Sequence, residues 1–102
     1  MTDLIEHNRA QVEALCSRRG VLSLALFGSA ARGELRPESD VDLLIEFKPD
    51  AQVGLLELEA IRAELESLFG RPVDLAGPAI LRNPYRRRTI LRDLRPVYAR
   101  ES

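Results

Sequence analysis

Two apolar runs that meet a polar loop constrain the fold of this chain most strongly. The first run, Val21–Phe27, leads directly into Gly28 and Ser29, and the second, Val41–Phe47, starts directly after Asp40. Short apolar runs bounded by turn residues are typical of β-strands. The first run is apolar on both faces, which is typical of a central strand covered on both sides. The sequence therefore predicts two strands joined through a polar loop.

Two carboxylates lie one residue apart at the start of the second run. Residues i and i+2 of a strand project from the same face, so Asp40 and Asp42 should lie side by side, about 7 Å apart along the backbone. Like charges this close repel each other unless a cation lies between them. Oxygen ligands of this kind favour Mg²⁺. The alternation over 40–47 places Val41 and Leu43 on the core face and the aspartates on the other.

A third aspartate lies in a later apolar segment. The pattern over 72–75 predicts a short strand in which Val73 and Leu75 face one way and Asp74 the other. With the two earlier aspartates, Asp74 completes a candidate set of catalytic and metal-binding carboxylates. The alternative is that all three are ordinary aspartates at turns or strand ends.

The Gly28-Ser29 turn suits a phosphate group. Glycine lets the backbone approach an anion where a Cβ would obstruct it, and Ser29 can donate its hydroxyl to a phosphate oxygen. Ser29 could also cap a short helix, and the two roles are compatible. Arg32, in the following loop, could neutralise a triphosphate or could be a surface arginine paired with Glu34 or Glu38.

This arrangement resembles the nucleotidyltransferase superfamily that includes DNA polymerase beta, whose signature is Gly-Ser followed by Asp-x-Asp. Ten residues, Ala30 to Ser39, separate the two parts here. The Ala-Arg-Gly-Glu after the serine and the Ser-Asp-Val-Asp-Leu-Leu run are similar to the minimal nucleotidyltransferase (MNT) branch. The resemblance covers residues 21–98 and implies an α/β nucleotidyltransferase fold, with a small mixed sheet of three to four strands and flanking helices.

The resemblance also implies roles for the site residues. Asp40 and Asp42 would bridge two Mg²⁺ ions, and Asp74 would complete the site on one ion and help to deprotonate the attacking hydroxyl. ATP would be the co-substrate, with its phosphates at the glycine–serine turn and Arg32. Two-metal sites stabilise the attacking and leaving oxygens of an in-line displacement.

The function implied by the resemblance is that of an antitoxin. MNT proteins are typically paired with a HEPN-domain toxin, and the implied reaction transfers AMP to a tyrosine of that toxin. Two alternatives stay open: a binding antitoxin that masks its partner sterically without catalysis, and a nucleotidyltransferase subunit that acts on a small molecule.

Length and composition limit the architecture and the compartment. The 102 residues predict one domain, residues 1–102, without room for a separate substrate-binding domain. No apolar run approaches the roughly 20 residues of a membrane span, so no membrane association is expected. The single cysteine, Cys16, fits a core position and a reducing cytoplasm.

The charge distribution argues against direct nucleic-acid binding. The net charge is −1, and from residue 79 onward seven arginines face only Asp93 and Glu101. A nucleic-acid-binding chain would more often be basic throughout. Arg88, Arg92 and Arg95 would share one face of a helix, paired with the acidic second helix, with a nucleotide phosphate or with an acidic partner.

Periodicity and capping residues predict the remaining elements. Gly20 and Gly70 suit the positions after the last helical turn, and Asn83 suits an N-cap before a proline. The predicted helices cover residues 2–19, 51–69 (more securely from 55) and 83–93. Residues 97–98 form either a last short strand or a docked tail.

Overall fold

The protein is described by a computed structural model that covers residues 2–34, 36 and 38–99. Nine regular α and β elements and one 3₁₀ helix, Pro78–Arg82, follow one another along this part of the chain. None of its helices combines the length and the apolar character that crossing a membrane requires. The elements are α1 Thr2–His7, α2 Arg9–Arg19, β1 Val21–Phe27, α3 Gly28–Ala31, β2 Val41–Phe47, α4 Leu55–Phe69, β3 Val73–Ala76, α5 Pro84–Asp93 and β4 Arg95–Ala99.

The first predicted helix is interrupted. The prediction of one helix over residues 2–19 was wrong, because Asn8 separates α1 from α2 with φ −114° and ψ 13°. The Asn8 side-chain amide donates to the Leu4 carbonyl at 2.8 Å, which is the local competition with the backbone that disfavours asparagine inside helices. Helix α2 ends as predicted, at Gly20 in the left-handed conformation.

The sheet is mixed and has four strands in the order β3-β2-β1-β4. Strand β1 is central and pairs antiparallel with β2 and β4, whereas β2 and β3 pair parallel. A parallel pair needs a long crossover, and α4 supplies it. The predicted mixed sheet with flanking helices is confirmed, and the last segment is a strand that begins at Arg95 rather than a docked tail.

One face of the sheet carries the main hydrophobic core. Helices α2 and α4 contact each other, and their apolar sides pack with the sheet in one cluster. Cys16 is fully buried there, and burial raises the pKa of its thiol to about 12. The cysteine is therefore a neutral core residue, as predicted. The most deeply buried members are Val12, Cys16, Val21, Leu24, Ala30, Val41, Leu43, Ile61 and Leu65.

The opposite face of the sheet is only partly covered. Helix α5 contacts β1, and its one buried residue, Ile90, is 1% exposed and lies outside the main core cluster, as does Phe27. On this face, Asp42 and Leu44 of β2 are half-buried and Glu46 is exposed. We call this face of the sheet the site face.

Shortening a core side chain tests the packing on the face of the sheet that carries the main hydrophobic core. Leu43 is fully buried in β2, so Leu43→Ala should lower the free energy of unfolding by about 2–5 kcal/mol. Leu56 in α4 is 84% exposed, and Leu56→Ala should change it by no more than about 0.5 kcal/mol. Urea denaturation of both variants makes the comparison, and equal losses would contradict this packing.

Candidate active site

Asp42 and Asp74 are brought together by the parallel pairing of β2 with β3. The two residues are direct register partners, and neighbouring strands lie about 4.8 Å apart. Val41 pairs with Val73 on the core side, and both are buried. The aspartates between the buried positions therefore project from the site face, as the alternation predicted.

Asp40 lies just outside this pair. The prediction that it belongs to the strand was wrong by one residue, because β2 begins at Val41. The Val41 backbone N–H donates to the Pro72 carbonyl. The hydrogen-bond ladder between β2 and β3 therefore starts at Val41. Asp40 is exposed, but its charge still acts on Asp42.

The electrostatic centre of the site is Asp42. Burial, followed by the negative charges of Asp74 and Asp40, raises the pKa of the Asp42 carboxyl above its ordinary value. The positive charges of Arg86 and Arg32 oppose this shift. The ionised form of Asp42 is therefore disfavoured beside the other two aspartates, and additional positive charge would favour it.

The donors of this cluster fit Mg²⁺ as a partial set. In the part of the chain that the structure describes, no three or more acidic, histidine or cysteine side chains are arranged to hold a metal ion by themselves. Magnesium usually takes one or two protein carboxylates and completes its shell with water and substrate phosphates. The Asp42–Asp74 pair, with oxygen donors only, has the chemistry for that kind of site.

Gly28 brings the turn after β1 against Asp42. Its neighbour Phe27 is the cross-strand partner of Asp42, and Gly28 has φ +71°. A Cβ added at Gly28 would lie 2.6 Å from Oδ2 of Asp42. Only glycine provides both this backbone conformation and this space, so the turn and the carboxylate are built as one unit.

Ser29 lies inside α3 rather than at its cap. The predicted short helix is present as Gly28–Ala31, but its N-cap is Phe27, without a side-chain capping bond. The capping alternative for Ser29 was therefore wrong, because the helix starts one residue before the serine. Ser29 is half-buried beside the turn, and its contact with a phosphate stays a prediction.

Arg32 is held by two carboxylates. Its Nε donates to Glu34 and its Nη1 to Asp93, each at 2.9 Å. Hydrogen bonds from Arg92 and Arg32 lower the pKa of Asp93. Of the alternatives for Arg32, pairing with Glu34 is present, and the bond to Asp93 ties α3 to α5. Phosphate binding by Arg32 stays a prediction.

The arginines near the end of the chain do not form one helical face. Arg95 lies in β4, because α5 ends at Asp93. The alternative in which these arginines pair with the acidic helix α4 was also wrong. The glutamates of α4 that form ion pairs in the described part of the chain pair with arginines of α2 and of α4 itself: Arg18, Arg19 and Arg62.

Arg86 is the residue of the site that the sequence analysis missed. It was not singled out among the arginines from residue 79 onward, yet its charge acts on Asp42. A signal for it exists in the sequence, since Arg86 lies in the first helical turn after the Asn83 cap and four residues before the apolar Ile90.

Comparison with known proteins agrees with this geometry. The family model described as the nucleotidyltransferase domain matches residues 9–97, which include the whole sheet up to β4 and all three aspartates. The chain belongs to the nucleotidyltransferase domain family and is a nucleotidyltransferase.

Individual proteins and solved structures are similar to this chain over most of its length. The protein adenylyltransferase MntA of Thermococcus cleftensis is 35% identical over 85 residues, which cover 83% of each chain. A solved structure with the provisional name minimal nucleotidyltransferase is 37% identical, with a TM-score of 0.69 over 90% of this chain and 94% of the other. The fold is also similar to that of a chain in a solved complex of tri-AMPylated HEPN toxin with MNT antitoxin from Shewanella oneidensis. The TM-score is 0.63 at 15% identity, over 94% of this chain and 73% of the other.

Gly28 offers a test of the turn against Asp42. Gly28→Ala should destabilise the protein by about 1–2 kcal/mol from the left-handed backbone alone, with a further loss from the contact with Asp42. Gly77 has φ −88° and no heavy atom within 4 Å of an added Cβ, so Gly77→Ala should be neutral. Urea denaturation measures both, and a neutral Gly28→Ala would contradict the geometry.

Asp42 should be a residue that costs stability. Folding raises the pKa of the Asp42 carboxyl, so at neutral pH the fold bears the cost of burying its charge and the repulsion from Asp74 and Asp40. Asp42→Asn should therefore be at least as stable as the wild type at pH 7 without divalent cations. The difference in free energy of unfolding between the variant and the wild type should decrease as the pH falls below the raised pKa of Asp42. Unfolding curves with a chelator measure it, and a clear loss of stability at pH 7 would refute this account.

Proposed function

We propose that this protein is an antitoxin-type protein adenylyltransferase that transfers AMP from ATP to a hydroxyl of a partner protein. The observation that carries the proposal is the in-register Asp42–Asp74 pair beside the Gly28 turn. An acidic pair next to backbone that an anion can approach suits a nucleotide and its Mg²⁺. The relative of similar length in Thermococcus cleftensis is named a protein adenylyltransferase.

Each aspartate has a role in the proposed reaction. Asp40 and Asp42 would hold Mg²⁺, and Asp74 would complete the set and accept the proton of the attacking hydroxyl. Bound Mg²⁺ would supply charge neutralisation at the phosphates and stabilise the attacking and leaving oxygens. Because the carboxylates form only a partial ligand set, metal binding would depend on the nucleotide phosphates.

The proposed acceptor is a tyrosine hydroxyl of a HEPN-domain toxin encoded beside this protein. The support is that the fold is shared with an MNT antitoxin whose HEPN partner carries AMP groups. The site face also lies open at the ends of β2 and β3, where Asp40 and Asp74 are exposed. A protein hydroxyl could reach the aspartates from that side.

The decisive experiment removes the carboxylates while preserving their shape. The double variant Asp40→Asn, Asp42→Asn should lose about a hundredfold or more of AMP transfer to the co-purified toxin, since metal-assisted stabilisation amounts to several kcal/mol. Transfer is measured by mass spectrometry of the toxin. Asp50→Asn, a substitution at an exposed aspartate in the turn after β2, is the matched control and should retain full transfer.

The same variants separate catalysis from steric masking. If transfer neutralises the toxin, cells that express the toxin with the double variant should not grow, while cells with the Asp50 control should. Growth that is fully protected by the double variant would remove the enzymatic proposal and support the binding antitoxin. AMP found on an added small molecule but never on the toxin would support the third alternative.

A further inference from the structure

One side of α5 packs on the sheet, and Arg86 lies toward that side of the helix. Ile90 is 1% exposed and is the buried residue of this helix, so it marks the side that packs on the site face. Arg86, four residues earlier, projects within about 40° of the same direction. Asp93, three residues later, lies on this side too, and its side chain is 10% exposed.

The first turn of α5 is fixed in place. The Asn83 side-chain oxygen accepts hydrogen bonds from the backbone N–H groups of Tyr85, at 3.0 Å, and Arg86, at 3.3 Å. Pro84 occupies the first helical position, where its ring suits the helical backbone. At the other end of α5, Arg32 binds Asp93. Helix α5 is therefore fixed at both ends, and this fixes the backbone position of Arg86.

The two arginines that act on Asp42 differ in their other contacts. Arg32 already donates to Glu34 and Asp93. The ion pairs that the structure shows on α5 use Asp93 with Arg32 and Arg92, not Arg86. Arg86 is exposed, its charge acts on Asp42, and its guanidinium has no carboxylate partner among the ion pairs of the described residues.

We propose that Arg86 binds the β- and γ-phosphates of the nucleotide, a role that rests on the proposed function. A guanidinium binds phosphate oxygens with two parallel hydrogen bonds and keeps its charge at all working pH values. In this role, Arg86 stabilises the negative charge of the departing pyrophosphate. Arg32 contributes by holding α5, and therefore Arg86, against α3.

Nucleotide affinities test this role. The probes are AMP-PNP and AMP, each with Mg²⁺, titrated by calorimetry into the wild-type protein and its variants. Arg86→Gln should weaken AMP-PNP binding about tenfold or more, as expected for loss of a charged hydrogen-bond pair. AMP lacks the β- and γ-phosphates, so its affinity should change less than about threefold. Arg86→Lys should recover part of the AMP-PNP affinity, because it keeps the charge but not the two-pronged geometry.

The matched control is Arg88→Gln on the same helix. Arg88 is exposed and projects about 160° away from Ile90, so its variant should bind both nucleotides like the wild type. Thermal unfolding midpoints within about 2 °C of the wild type should show that each variant is folded. Arg86→Gln binding that matches Arg88→Gln would overturn the proposal, and so would equal weakening for AMP-PNP and AMP.

The outcome is separable from that of the proposed function. If the wild-type protein binds AMP-PNP through Arg86 but transfers no AMP to the toxin, the adenylyltransferase proposal fails and the phosphate role stands. If transfer occurs and Arg86→Gln leaves AMP-PNP affinity intact, only the role of Arg86 is overturned.

Discussion

The register between β2 and β3 is the constraint on which the site depends. Val41 and Leu43 of β2 are buried, and their partners in β3 are Val73 and Leu75. A slip of one residue would turn Asp74 toward the core and expose the valine. The hydrophobic effect on one face of the sheet therefore sets the position of the carboxylates on the other. The acidic pair is maintained by apolar packing, against the repulsion between its own charges.

A second ladder meets the first at Asp42. The antiparallel pairing of β1 with β2 places Phe27 opposite Asp42, so the next residue, Gly28, turns directly beside the carboxylate. Asp42 is thus fixed from two directions, by β1 through the turn and by β3 through Asp74. The local cost is visible in the raised pKa of Asp42. A protein selected for stability alone would not keep three aspartates together at this point.

Much of this arrangement could be predicted from local pattern. Strand alternation predicted which face of β2 belongs to the core and from which face Asp74 projects. The capping residues Gly20 and Asn83 predicted two helix ends. These features depend on the residue types within a few positions. The break at Asn8 was missed because its side-chain bond to the Leu4 carbonyl competes with an otherwise regular helical pattern. The bond from Arg32 to Asp93 and the action of Arg86 on Asp42 were not predicted, because both depend on where α5 docks.

Two carboxylates of the site come from neighbouring positions in the sequence, whereas Arg86 comes from a distant one, and this explains why the carboxylates were predicted and Arg86 was not. Asp40 and Asp42 are neighbours in sequence, so a motif reveals them. The charge of Arg86 acts on Asp42 only once α5 has packed on the sheet through Ile90. Two arginine charges face three aspartates, and one of these arginines is shared with Glu34 and Asp93. The site therefore stays net negative until a cation arrives. On the proposed function, Mg²⁺ serves the carboxylates and Arg86 serves the phosphates, so each ligand improves the site for the other. Such mutual dependence is reciprocal by linkage, and it favours joint binding of metal and nucleotide over binding of either alone.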